Sequence, residues 1–334
     1  MKKRNFVHIN SFNMKTYSCE EIKNKINKAG SKREPFYFVT DFSLKTNLFI
    51  PENELDSSPV QFGFNTIPKK IDSIPNISIH PVEKNKYTEG FNFVISEINK
   101  GNSFLLNFTQ PSKIDIPLSL FEIYEYTEAR YKLLYEDKFV VFSPEPFIKI
   151  IDGKIYTYPM KGTMNAQISG AKEILMNSEK ESAEHATIVD LLRNDMSFHA
   201  INVKVNRFKY LELIKTKKND IWQMSSEISG DLHEDYHNNL GNIIMDMLPA
   251  GSITGAPKNK TLNIIKKAEM YDRGYYSGVA GYYDGKNLDT FVLIRFIEKT
   301  DQGYIYKSGG GITHMSQLDE EYKELVDKIY VPFY

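Results

Sequence analysis

The sequence predicts an α+β protein with large antiparallel β-sheets and helices packed on the outside. Three observations predict it. Runs of β-branched and aromatic residues recur through both halves of the 334-residue chain. Several are joined by turns as tight as Asp152-Gly153 and Asp284-Gly285, which only antiparallel neighbours allow. The strand-helix-strand alternation of a parallel doubly wound sheet is missing.

The elements follow in order. The first 80 residues are rich in Asn, Lys, Ser and Pro, with a short strand at Phe36-Tyr-Phe-Val-Thr40. Residues 86–100 form a helix, because Phe91, Val94, Ile95 and Ile98 recur at helical spacing. Strands follow at 103–109 and 138–142, then a hairpin about Asp152-Gly153. Pro159 has no N–H for a ladder and should end that hairpin, which leaves Lys161 on a loop. Helices are expected at 179–197, 238–248 and 258–271, and strands at 279–285, 289–299 and 304–311. A helix closes the chain at 317–330. No clean linker divides the second half. One large domain is expected, with residues 1–80 a short N-terminal part of the same fold and 81–334 its motif-bearing region.

Composition excludes several function classes. Hydrophobic residues at 41% and charged residues at 25% suit a globular protein in water. The net charge of −1, from 42 basic and 43 acidic side chains, gives no electrostatic case for nucleic acid or an anionic membrane. The N-terminal Met-Lys-Lys-Arg lacks the apolar run of a signal peptide. No stretch approaches the roughly 18 apolar residues of a membrane span. The single cysteine, Cys19, excludes an internal disulfide and fits a cytoplasmic location. With seven scattered histidines, it also argues against structural zinc.

Several clusters could carry chemistry. Glu181 and Glu184 lie three apart on one predicted helix, Glu321 and Glu324 three apart on another, with Lys328 four further on. A solvated face with a Glu324–Lys328 ion pair fits this spacing. So do two facing carboxylate pairs holding a hard dication such as Mg²⁺. The glycine-rich pieces Gly251-Ser-Ile-Thr-Gly-Ala-Pro-Lys258 and Ser308-Gly-Gly-Gly-Ile312 match no phosphate loop. Three glycines after a strand do let backbone N–H groups meet an anion. Arg295, in an apolar strand, is expected to pair with a protein group or a ligand carboxylate.

Together these pieces resemble the chorismate-utilising enzymes, a family that includes anthranilate, aminodeoxychorismate, isochorismate and salicylate synthases. The resemblance runs from about residue 86 to the end. It rests on Ser143-Pro-Glu-Pro-Phe147, Pro159-Met-Lys-Gly-Thr163, the run from Ala183 to Asp195, Gly251 to Lys258, Ile294-Arg295, Gly309-Gly-Gly-Ile312 and Glu321-Tyr-Lys-Glu324. It implies Mg²⁺ on Glu184 and Glu324, with Glu181 and Glu321 as nearby carboxylates. It implies chorismate contacts from Tyr282, Arg295, Gly309, Gly310, Gly311 and Lys328, with Thr254 in a loop of the same pocket. Chorismate is a dicarboxylate, which needs such a set of cationic and N–H partners.

Within the family, alanine usually stands where this chain has Lys161, and lysine there is similar to aminodeoxychorismate synthase component I. The resemblance implies amination at ring C4. The Lys161 amine attacks C2 and displaces the C4 hydroxyl; ammonia then attacks C4 and expels the lysine. Glu145 is the implied general acid for the departing hydroxyl. Ammonia would come from a glutamine amidotransferase subunit, and the product would feed 4-aminobenzoate and folate synthesis. Leu105 falls where isochorismate and salicylate synthases carry a water-activating lysine, which disfavours water addition. Gln223 stands where the family has a histidine, and glutamine can only hydrogen-bond. Anthranilate synthase and a non-catalytic chorismate-binding subunit stay as alternatives.

Overall fold

A computed structural model describes residues 14–214 and 220–334. The N-terminal stretch read above for a signal peptide lies outside them. Two antiparallel sheets form the frame. In spatial order the first runs β10 (Met160–Asn165), β12 (Ile221–Leu232), β9 (Lys154–Thr157), β8 (Pro146–Ile151), β15 (Leu288–Val292), β14 (Val279–Tyr283), β1 (Phe36–Val39) and β2 (Leu48–Pro51), and β11 (Ala200–Ile214) flanks β12. The second runs β13 (Gly255–Ala256), β5 (Leu105–Asp115), β17 (Gly303–Ile312), β16 (Phe296–Thr300), β7 (Phe139–Ser143), β6 (Tyr131–Tyr135) and β3 (Val60–Phe64), and β4 (Ser78–His80) flanks β5. Residues 36–80 therefore give strands to both sheets.

Helices cover the outer faces. Ile22 and Ile26 of α1 (Cys19–Ser31), Ile188 and Leu192 of α5 (Glu179–Ser197) and Ile243 of α6 (Leu240–Asp246) share a core with Phe36, Ile148, Ile155 and Ile228 of the first sheet. On the second sheet, α2 (Lys84–Asn99), α7 (Lys258–Glu269) and α8 (Leu318–Asp327) pack Phe91, Val94, Ile264 and Leu325 onto Leu106, Phe108 and Ile312. There α3 (Leu120–Tyr126) adds Ile123 against Leu134 and Val140, while α4 (Ala171–Asn177) lies on β10 and β12. Between the sheets, Val39, Ile50, Ala280 and Phe291 meet Val60, Leu133, Val141 and Phe296. Each such buried side chain stabilises the fold by about 1.5–3 kcal/mol before entropy is counted.

Local chemistry explains the element ends. Ser18 with Glu21, and Ser119 with Glu122, form capping boxes that start α1 and α3. The expected hairpin is present as β8 and β9: Asp152 (φ 48°) and Gly153 (φ 78°) both take the left-handed conformation that a tight hairpin turn needs.

Three details differ from expectation. Lys161 lies on a strand, not a loop: Pro159 interrupts the chain only briefly, and β10 then pairs with β12 through a bulge between Met160 and Thr163. The run at 289–299 is two strands, because the chain leaves the first sheet after Val292 and enters the second at Phe296. Arg295 stands at that corner with φ 56°. An unbroken apolar run looks the same whether or not it turns, so periodicity could not show the corner. The glycines 309–311, read both as the end of the strand at 304–311 and as following one, lie within β17, opposite Thr109, Phe108 and Asn107 of β5.

Candidate active site

Carboxylates from α5 and α8 converge over the glycines of β17. A Cβ at Gly310 would lie 2.9 Å from Glu324 Oε1 and 3.5 Å from Glu321 Oε2. One at Gly311 would lie 2.8 Å from Glu184 Oε2 and 3.4 Å from Lys161 Nζ. The glycines thus make room for the charged groups. The bulge does the same for Lys161: Gly162 has φ 80°, and a Cβ there would lie 2.9 Å from Glu181 Oε2. Glu181, Glu184, Glu321, Glu324 and Lys161 are brought together as the sequence expected.

The β17 backbone offers donors. Asn107 gives its N–H to Thr254 O, and Thr109 gives its N–H to Glu269 Oε1, so neither bonds across to β17. Their partners Gly311 and Gly309 therefore sit in non-hydrogen-bonded pairs, with peptide groups facing away from β5. Pairing with β16 stops at Lys307, which leaves that edge uncovered by a strand. Lys328 Nζ donates to Gly309 O at 2.8 Å and meets Glu324 Oε1 at 2.6 Å, the ion pair expected from the spacing.

Electrostatics set the carboxylates apart. Burial pushes the Glu184 carboxyl up to about 7, against the opposing effect of Lys161 and with help from Glu181. Burial also raises Glu181. Burial acts the same way on Glu324, but Lys328, Lys180 and Lys161 together hold that carboxyl below its ordinary value. Glu321 is 2% exposed; its Oε1 receives Lys180 Nζ at 2.5 Å, and its buried Oε2 has no partner. His185, next to Glu184, is lowered to about 4 by burial and by the charges of Lys209 and Lys161, and its Nε2 lies 2.6 Å from Ser226 Oγ.

Glu145 sits where the chain enters β8, in the electrostatic reach of Lys161, Arg295 and Lys328. Ser252 Oγ donates to its Oε1 at 2.6 Å. Burial raises its pKa despite these partners. Among the described residues, Arg295 Nε meets the Tyr330 hydroxyl, at 3.3 Å. Among the described residues, neither Arg295 nor Lys161 is paired with a carboxylate. Leu105 packs beside Gly311, so that wall of the site is apolar. Gln223 lies opposite Thr163, two residues beyond Lys161.

Two of the expected contact residues have their hydroxyls engaged within the protein. The Tyr282 hydroxyl bonds Glu52 at 2.5 Å and its ring stacks on Tyr37 of the neighbouring β1. The Thr254 hydroxyl is spent on Ala250 O at 2.7 Å, and the residue braces its loop from within. Three residues near the site were not singled out in sequence: Ser252, Lys180, and Tyr276, which is buried beside Arg295. Ser252 lies in the Gly251 to Lys258 motif, whereas Tyr276 lies outside every motif. Lys180 had only its helical spacing to Glu184 as a signal.

Among the described residues, no three acidic or histidine side chains form a finished metal cage. The donor set still suits Mg²⁺: it offers hard oxygens, one of them buried and unpartnered, and Mg²⁺ commonly takes one or two carboxylates and completes its shell with water and substrate.

The fold and site bring together backbone N–H groups, two cations without a carboxylate partner among the described residues, and a carboxylate cluster. A family model described as chorismate binding enzyme matches residues 68–333, and the chain belongs to that family. It is 47% identical over 313 residues to an uncharacterised PabA-like protein of Haemophilus influenzae, covering 92% of this chain and 94% of that one. It is 30% identical over 262 residues to aminodeoxychorismate synthase component 1 of Salmonella typhimurium, covering 73% and 56%. The menaquinone-specific isochorismate synthase of Escherichia coli shares its fold, with a TM-score of 0.72 at 14% identity over 94% of this chain and 82% of that one. No helix among the described residues is long and apolar enough to cross a membrane.

Proposed function

We propose that the protein is an aminodeoxychorismate synthase component I, which converts chorismate and ammonia to 4-amino-4-deoxychorismate. The observation that carries this reading is Lys161. Its Nζ reaches the carboxylate and glycine cluster from a bulged strand and holds no carboxylate of its own. That leaves an amine free to act as a nucleophile.

Arg295 and the Gly309 and Gly311 N–H groups supply partners for the two carboxylates of chorismate. Lys161 Nζ, as the neutral amine, bonds to ring C2 as the C4–O bond breaks, with both ring double bonds shifting along C1, C6 and C5. Glu145, whose carboxyl burial pushes above its ordinary value, would give a proton to the leaving hydroxyl, which departs as water. Ammonia then bonds to C4, both double bonds shift back, and the C2–N bond to Lys161 breaks. Glu184 and Glu324 would hold Mg²⁺, with Glu181 and Glu321 beside them; the ion would supply a hard positive charge for a substrate carboxylate. A glutamine amidotransferase subunit would deliver ammonia, the product would serve 4-aminobenzoate and folate synthesis, and the enzyme would work in the cytoplasm.

The test is to incubate the purified chain with chorismate, Mg²⁺ and excess ammonium at mildly alkaline pH and identify the product by mass spectrometry. An amino product that keeps the enolpyruvyl group, and that aminodeoxychorismate lyase converts to 4-aminobenzoate, is expected. Fluorescent anthranilate with released pyruvate would overturn C4 amination and favour anthranilate synthase. Chorismate binding without turnover would favour a non-catalytic subunit.

A further inference from the structure

Lys180 has no part in the chemistry above, yet it is the cation in contact with the most buried carboxylate of the site. It lies on α5 four residues before Glu184, so its side chain projects from the same face. Its Nζ crosses to α8 and meets Glu321 Oε1 at 2.5 Å. The Lys180 side chain is 21% exposed and that of Glu321 is 1% exposed, so the lysine lies on the solvent side of the pair. Glu184 and Glu324 also act on Lys180, which places it within reach of the whole carboxylate set.

We propose that Lys180 is an exchangeable internal counter-ion: it neutralises the carboxylate cluster when no metal is bound and must leave Glu321 for a dication to load. The inference rests on the reading of this cluster as a divalent-cation site. Two arguments support it. A buried carboxylate left alone is costly, so the metal-free protein needs a cation here. An ammonium within electrostatic reach of Glu184 and Glu324 opposes a dication at the same cluster, and Lys180, unlike Lys328, is not also tied to a backbone carbonyl among the described residues. The site would thus be held closed to metal by a charge of its own.

The test measures Mn²⁺ binding to the full chain without substrate, from the electron paramagnetic resonance signal of free Mn²⁺. Lys180→Met removes the charge and keeps much of the stem. It should tighten Mn²⁺ binding by roughly tenfold, since one competing charge is gone. Lys180→Arg should bind as the wild type does, and Lys172→Met, a surface control over Trp222, should change nothing. Melting adds a second readout: Lys180→Met should melt lower than wild type without metal and recover most of the loss when Mn²⁺ is added. Equal or weaker Mn²⁺ binding by Lys180→Met, with wild type binding normally, would overturn the counter-ion role alone. No Mn²⁺ binding by either protein, with or without chorismate, would overturn the metal site and this inference together.

Discussion

Lys161 depends on its neighbours for everything that makes it useful. The bulge aims it, Gly311 leaves room for it, and the nearby carboxylates surround it without pairing with it. Lys161→Ala should therefore lower C4 amination by roughly a thousandfold or more while chorismate binding changes little. Product formation and calorimetric binding, measured on one preparation, check this; undiminished amination would remove the covalent step. Gly311→Ala should push a methyl group against Glu184 and Lys161. The KM for chorismate should rise by about tenfold or more with the melting midpoint nearly unchanged, and an unchanged KM would mean the glycine serves packing alone. The carboxylate pairs were legible in sequence because helical spacing is a local property. Lys180 and Ser252 were not, since their partners Glu321 and Glu145 lie 141 and 107 residues away.

At the scale of elements, turns were easier to foresee than corners. Asp152-Gly153 announces its hairpin through residues that tolerate positive φ. The bend at Arg295 has no such signal, since arginine carries no preference for that conformation. His237 shows how one junction couples to pH. It lies in the turn Tyr236–Asn239, 6% exposed, with Nδ1 2.6 Å from the Tyr283 hydroxyl of β14. Burial first, and Arg33 second, lower it from 6.5 to about 4. Below pH 6.5 the unfolded chain takes a proton that the folded chain refuses, so this residue's contribution is present above 6.5 and lost as pH falls toward 4. His237→Asn, which can still donate to Tyr283, should flatten the acid-side loss of stability across that window in urea titrations. An unaltered pH profile would remove His237 as its source.

At the scale of the molecule, a buried ion pair ties the site's parts together. Arg273 and Glu269 meet at 2.6 Å with side chains 1% exposed. Arg273 also donates to Ile253 O, in the loop that carries Ser252, and to Asn107 O, on the strand opposite Gly311. Arg273→Met should destabilise the protein by about 3–5 kcal/mol, because it strands the Glu269 charge. The double variant Arg273→Met with Glu269→Leu should lose less, and denaturant unfolding of both checks this; equal losses would make the carbonyl contacts the larger part. The sheets themselves were legible from strand content and turn length. How they face each other was not, because Val39 and Phe296 become neighbours only after both sheets exist.

The site draws on residues from Glu145 to Lys328 and on both sheets. In a folding chain, contacts that close such long loops form late. The pocket is therefore among the last things the molecule acquires, and a partly folded chain has no weaker version of it. Ligand added during refolding would find nothing to hold until the two sheets dock. From then on it would act as a latch, slowing the return to the unfolded chain while doing little to hasten the approach.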